Sequence, residues 1–365
     1  MFGERLKLAR KRAGLSLRDL ADRLDQKVSA QAIGKYENGK MFPSSSVLLD
    51  LSRQLGVSVD FLTSAQVADL CGVEFRKTGG SNRSEIARVE AAVIDQVERY
   101  LAIEAVLDLP SHEHELADRE PIVAQSLDDA EHLAAQLRAE WNLGTDPIPS
   151  VTGLLESRGM KVLALDMPSR FSGLTCDVQR SGDQPSVPVI VVSTGFTVER
   201  RRFTLCHELA HRLISGVAEG LDHEKVMHRF SSAFLMPADR MREEFGERRE
   251  GLAYEEIRRV KRAYGVSAAA LIIRLRDLRV IGDGYVTYLF QTQARTWKSA
   301  EPDPLLEDGE TGKGEAPQHF ERLVLRALAE RLISLPRAAT LLQKPASDVE
   351  FAIKGPAVAD AGHRQ

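Results

Sequence analysis

The pentad His207-Glu208-Leu209-Ala210-His211 constrains this chain more than any other stretch of it. Positions i and i+4 lie one turn apart on the same face of an α-helix, so both imidazoles can reach one metal ion only if the segment is helical. The surrounding run VERRRFTLCHELAHRLI, which begins near Val198, suits a helix, with Phe203, Ala210, Leu213 and Ile214 available for a core-facing stripe. Glu208 adjoins the first imidazole and cannot easily turn to the same coordination position. It can instead serve as general base toward a water on the metal. Two neutral imidazoles and a carboxylate, with a fourth position left open, suit zinc best. The third ligand must come from elsewhere, and the downstream candidates are Glu219, Asp222, His223, Glu224 and His228.

The residues before the pentad predict a small sheet. A helix near Val151–Ser157 stops at Gly159 and is followed by an apolar strand, Lys161–Leu165. Phe171–Val178 alternates around Gly173, and Val189–Ser193 is a third strand with Pro188 just ahead of it. A turn at Asp183 and Pro185 would make the last two a hairpin. The pair RRRFTLCHELAHRLI and EKVMHRFSSAFLMP resembles the ImmA/IrrE family of metallo-endopeptidases, in which the H-E-x-x-H helix is partnered by a second helix of E-x-x-x-(Asn/Asp/His)-x-F form. Position by position, the resemblance implies zinc ligands His207, His211 and Glu224, a catalytic Glu208, and Pro237 at the end of the second helix. Ala-Asn is commoner in the family where this chain has Met227-His228, so His228, one turn after Glu224, is the competing ligand or a partner of the ligands. Cys206 reads as packing, and Arg200–Arg202 as a solvated helix start with one buried salt bridge.

A formal net charge of −4 conceals a division. Residues 1–64 hold 11 Lys/Arg against 7 Asp/Glu, while the rest holds 38 against 46. The basic head reads as five short helices punctuated by Gly14, Ser16, Ser29, Asn38-Gly39, Pro43, Gly56 and Ser58. Two short helices joined by a tight turn suggest a helix-turn-helix. The stretch from Gly14 to Leu62 resembles the lambda-repressor-like (Cro/XRE) family, through its spacing, the Tyr36-Glu37-Asn38-Gly39 turn and the closing Gly56-Val57-Ser58. That resemblance implies a double-stranded DNA operator as partner and a homodimer, with Ser29, Ala30, Gln31 and Lys35 facing DNA. Gln31 has the amide geometry to read adenine, and Lys35 and Lys40 suit phosphate or guanine. Leu17 stands where the family often has a phosphate-contacting Gln, a contact that falls to Arg18.

The expected fold class is mostly α with a small β-sheet (α+β). Residues 1–64 form the head, 65–145 a helical spacer with helices at Ser84–Leu107 and Ser126–Trp141, and 146–245 the metallopeptidase core. Residues 246–298 continue with two helices over Tyr254–Leu278 and a winged ribbon at Val280-Ile281 and Tyr285–Phe290. Residues 299–318 are polar and acidic, an exposed linker, and 319–365 give C-terminal helices and a disordered tail. Three cysteines without a C-x-x-C pair exclude a disulfide scaffold and point to a reducing cytoplasm. No apolar run reaches the roughly 18 residues of a membrane span, and the opening MFGERLKLARKRAG lacks a secretory apolar stretch. The functional expectation is a cytoplasmic DNA-binding regulator carrying a zinc endopeptidase that cuts a repressor- or antitoxin-type protein, itself or a partner. The alternative is a non-proteolytic transcription factor that uses the metal fold as a sensor.

Overall fold

The computed structural model describes residues 2–57, 59–63, 67–71, 83–110, 116, 119–180, 184–297 and 300–355. The head comprises α1 (Phe2–Arg12), α2 (Leu17–Arg23), α3 (Ala30–Glu37), α4 (Ser45–Leu55) and α5 (Val59–Thr63). Serine hydroxyls start three of these helices by accepting otherwise orphaned amides: Ser16 from Asp19, Ser29 from Ala32 and Ser44 from Val47. The Asp19 carboxylate returns the bond to the Ser16 amide, which closes a capping box and holds its carboxyl below the ordinary range. Leu6, Leu20, Ile33, Leu51 and Leu62 are wholly buried between the helices. Leu17 packs on this core, which accounts for an apolar residue where the related domains often carry an amide.

Beyond the head come β1 (Val67–Cys71), α6 (Arg83–Val106), β2 (Ile122–Ala124), α7 (Leu127–Glu140), α8 (Val151–Ser157), β3 (Lys161–Leu165), β4 (Gly173–Arg180) and β5 (Val187–Ser193). The chain goes on through α9 (Val198–Leu213), β6 (Ile214–Val217), α10 (His223–Leu235), α11 (Ala238–Phe245), α12 (Tyr254–Tyr264), α13 (Ala268–Asp277) and α14 (Asp283–Gln291). It finishes with α15 (Glu310–Gly314), α16 (His319–Ala329), α17 (Leu335–Leu342) and α18 (Ala346–Lys354). The architecture is mostly helical around a four-stranded sheet of order β1-β4-β5-β3, with a separate parallel pair β2-β6.

Strand β5 is buried along its whole length, parallel to β3 (Val162 opposite Ile190) and antiparallel to β4 (Cys176 opposite Val189). A strand covered on both faces needs no polar alternation, hence VPVIVVS. Alternation instead sorts its neighbours: Val189 and Val191 meet α6 through Val93 and Val97, while Ile190 and Val192 meet the layer holding α9 and α10. Helix α9, which carries His207 and His211, therefore lies on one face of the sheet and α6 on the other.

Four expectations are corrected here. Residues 65–145 are not a spacer: β1 extends the sheet, α6 covers one face, and Leu133, Ala134 and Leu137 of α7 belong to the main core. The winged ribbon is absent; Tyr285–Phe290 lies inside α14, where Val286 and Leu289 are buried three residues apart, a helical spacing. Pro188 falls within β5 rather than before it, opposite Asp177 of β4. Residues 300–318 are no exposed linker but a strap laid against the core. Lys261, with no exposed side chain, donates to the carbonyls of Pro302 (3.0 Å) and Asp303 (2.8 Å) and pairs with Glu199 and Glu301. Glu307 meets Arg201 at 2.5 Å, and buried Glu315 pairs with Arg202. The acidic composition that reads as solvated is neutralised by basic residues of α9 and α12. Ser58, most of the polar loop at 77–85, His112, His114, Asp183 and the tail from 356 lie outside the described residues.

Candidate metal centre and nucleic-acid interface

Helix α9 starts at Thr197, whose hydroxyl accepts the Arg200 amide, and is buried along most of its length. Its interior placement has a definite support. Arg202, 1% exposed, donates to the carbonyls of Ile148 (2.7 Å) and Tyr264 (3.3 Å) and pairs with Glu315. Glu315 in turn accepts the amides of Val151 (2.7 Å) and Thr152 (2.9 Å) at the start of α8. Gly265, in the left-handed region at φ +61°, is required twice over, because a Cβ there would lie 2.5 Å from Arg202 Nε. The single buried salt bridge expected among Arg200–Arg202 is thus Arg202–Glu315, and Arg201 pairs with Glu307 as well.

One turn apart on this helix, His207 and His211 bring their Nε2 atoms within 2.9 Å of each other. Helix α10 supplies the rest. Asp222 caps it by accepting the Lys225 amide (3.3 Å), so it is spent as a cap and Glu224 falls in the first turn. The Glu224 carboxylate lies 3.6 Å from His207 Nε2 and 4.0 Å from His211 Nε2. Ligands about 2.0–2.1 Å from a tetrahedral zinc stand roughly 3.3 Å apart, so these three donors surround a volume of that size. His228 forms a second, overlapping donor group with His207 and Glu224, all within 4.8 Å. The His223 ring stands 5.3 Å from that of His211, and Glu219 is exposed on the turn before α10.

The residue types fit a divalent transition metal: neutral imidazole and carboxylate donors, two of them on a helix anchored at both ends. Glu208, next to His207 in the chain, is buried at 1% exposure. It lies against Gly173 of β4, where an added Cβ would stand 3.3 Å from Glu208 Oε1 and 2.5 Å from Thr204 Cγ2. In the sequence Gly173 is only the centre of an alternating stretch; its place beside the carboxylate is set by the sheet. Arg212, next to His211, is held by Asp177 at 2.7 Å and by Thr175, which ties the end of α9 to the same strand. Cys206 is completely buried and burial pushes its thiol up to about 12, so it packs rather than reacts. A cavity of about 1250 Å³ opens onto His211, Glu224 and His228, with Phe196, Phe203 and Trp297 among its apolar lining.

In the head, Arg18, Ser29, Gln31, Lys35 and Lys40 are exposed, while Ala30 is half-buried against the head core. The Ser29 hydroxyl is engaged as the α3 cap. Arg10 pairs with Glu37 at 2.6 Å, which fixes α1 against the end of α3 and leaves the start of α3 facing outward.

Comparison with known proteins agrees with this division. A helix-turn-helix family model matches residues 6–62, and an IrrE N-terminal-like domain model matches residues 155–276. Over 62 residues the chain is 50% identical to the SPbeta prophage-derived HTH-type transcriptional regulator YonR of Bacillus subtilis (strain 168), a match covering 17% of this chain and 56% of that protein. The chain thus spans little more than half the length of that relative. No helix among the described residues is long and apolar enough to cross a membrane. Residues 6–62 are a helix-turn-helix domain and residues 155–276 an IrrE N-terminal-like domain, fused in one chain.

Proposed function

We propose that this protein is a DNA-binding transcriptional regulator whose IrrE-like domain is a zinc-dependent endopeptidase acting on a repressor- or antitoxin-type protein, either itself or a partner. The observation that carries this is the convergence of His207, His211 and Glu224 on one volume, with His211 and Glu224 at the wall of an open cavity. His207, His211 and Glu224 would hold the zinc, which when bound lowers the pKa of a water toward about 7 and polarises a peptide carbonyl. Glu208 accepts the proton of the attacking water and delivers it to the leaving amine. Its burial against Gly173 restricts the carboxylate to few orientations, which suits a group that must receive and return a proton at one place. The cavity is wide enough for an extended peptide segment, and its aromatic lining favours apolar side chains.

In the head, Gln31 is the residue that reads base edges, and Arg18, Lys35 and Lys40 meet phosphates. Such domains usually engage two half-sites as a homodimer. Glu208→Gln keeps the ligands and removes the base, so it tests the reading directly. Zinc content should stay at one per chain while cleavage of partner regulators in cells falls by at least about a hundredfold. Cleavage products that persist unchanged in Glu208→Gln would defeat the peptidase reading.

A further inference from the structure

We infer that His228 is a catalytic residue of the proposed peptidase: it donates a hydrogen bond from its ring to the scissile carbonyl oxygen as charge develops there. The inference rests on the zinc-peptidase reading of the site. His228 lies one turn after Glu224 on α10, hence on the same face of that helix, and both line the cavity. One of its ring nitrogens lies in one group with a ring nitrogen of His207 and a carboxylate oxygen of Glu224, all within 4.8 Å of one another. Its ring packs against two residues one turn apart on α9, 5.7 Å from Phe203 and 5.2 Å from His207, centroid to centroid.

Two features place His228 with the substrate rather than with the ligands. His207, His211 and Glu224 already provide three donors, and a zinc site that performs hydrolysis keeps its fourth position open. A fourth protein ligand would close the centre. The exposures also differ: His207 is wholly buried behind the site, whereas His228 is exposed on its open side. A donor fixed beside the metal, on the side from which a peptide arrives, is placed to meet an oxygen that becomes more negative during attack. The proton stays on His228 throughout, and Glu208 alone carries the transferred one.

The test uses the full-length zinc-loaded protein with His228→Ala and His228→Gln. The probe is N-phosphoryl-leucyl-tryptophan, whose tetrahedral anion resembles the charge distribution of attack. In His228→Ala the probe should bind on the order of ten- to a hundredfold more weakly, while zinc affinity, measured by chelator competition, stays within about fivefold. His228→Gln, which retains an N–H donor, should recover much of the lost affinity. A fall in zinc affinity of about a hundredfold or more in His228→Ala would make His228 a ligand and overturn the assignment. So would unchanged probe affinity in that variant, or a wild-type protein that holds zinc but ignores the probe. A wild-type protein that takes up no zinc, behaving like His207→Ala, would instead overturn the underlying peptidase reading.

Discussion

Position 173 has no room for a side chain, and the reason lies beside the Glu208 carboxylate. A Cβ there would stand 2.5 Å from Thr204 Cγ2 and 2.8 Å from the Val191 carbonyl, both parts of packed elements that cannot yield cheaply. Gly173→Ala should therefore destabilise the protein by about 1–3 kcal/mol in urea unfolding and displace α9 from β4 at Glu208. Zinc affinity should fall as well, since His207 and His211 ride on the displaced helix, but hydrolysis should fall further, because Glu208 is the group that meets position 173. An alanine variant as stable and as active as the wild type would show that Glu208 is not positioned by β4. At this scale the sequence is uneven in what it reveals. His207, Glu208 and His211 are legible because their geometry is local to one helix. Glu224 is one of five acids or histidines after the motif, and the cap at Asp222 is what puts it in the first turn of α10. Gly173 and Glu315 carry no local signal, since each is defined by partners 18 or more residues away.

Among the elements, the C-terminal helices show how docking can depend on pH. Helix α16 packs on α6, and α17 and α18 pack in turn on α16, in one cluster that joins Leu323, Val324, Ala327, Ala338, Leu341 and Val349 to Tyr100 and Ile103 of α6. At the edge of this contact the Tyr100 hydroxyl meets His319 Nδ1 at 2.8 Å, and the His319 amide donates to Glu156. Burial, helped by the nearby Arg322 charge, holds the His319 ring below its ordinary value. A base with a depressed folded pKa binds fewer protons docked than undocked, so docking is strongest above about pH 6.5 and weakens as pH falls below it. Hydrogen exchange corrected for intrinsic rates should show α16–α18 losing protection between pH 7.5 and 5.5, with His319→Phe losing less. Burial raises the Glu156 carboxyl and works in the opposite sense, but it is common to both proteins and leaves their difference intact. Identical pH slopes for the two would remove His319 from the account. The strap before α16 explains why composition misleads here: an acidic segment reads as solvated unless the basic residues that neutralise it, Lys261, Arg262, Arg201 and Arg202, are known to face it.

Across the whole molecule, α6 holds three bodies together. One side covers the sheet through Val89, Val93, Val97 and Leu101, and its second half carries the C-terminal helices. Its remaining side holds the head, where Asp95 pairs with Arg12 at 2.8 Å and Glu98 pairs with Arg5, only 4% exposed. Arg5 also donates to the Val67 carbonyl (2.9 Å), and Glu98 accepts the Val67 amide (3.2 Å), so one ion pair joins α1, β1 and α6. Glu98→Gln would keep an acceptor for Val67 but leave the Arg5 guanidinium buried without its counter-charge, a loss of about 3–5 kcal/mol when one partner of such a pair is removed. The effect should be local. Hydrogen exchange should quicken in α1, α5 and β1, while zinc affinity holds, because α6 and α9 lie on opposite faces of the sheet. The exposed Gln31, Lys35 and Lys40 stand away from this contact, so duplex DNA binding by the head should also survive. Exchange that quickens equally in α9 and α10 would mean that head and metal centre unfold as one unit. The clamp would then transmit head displacement directly to the site that His207, His211 and Glu224 form.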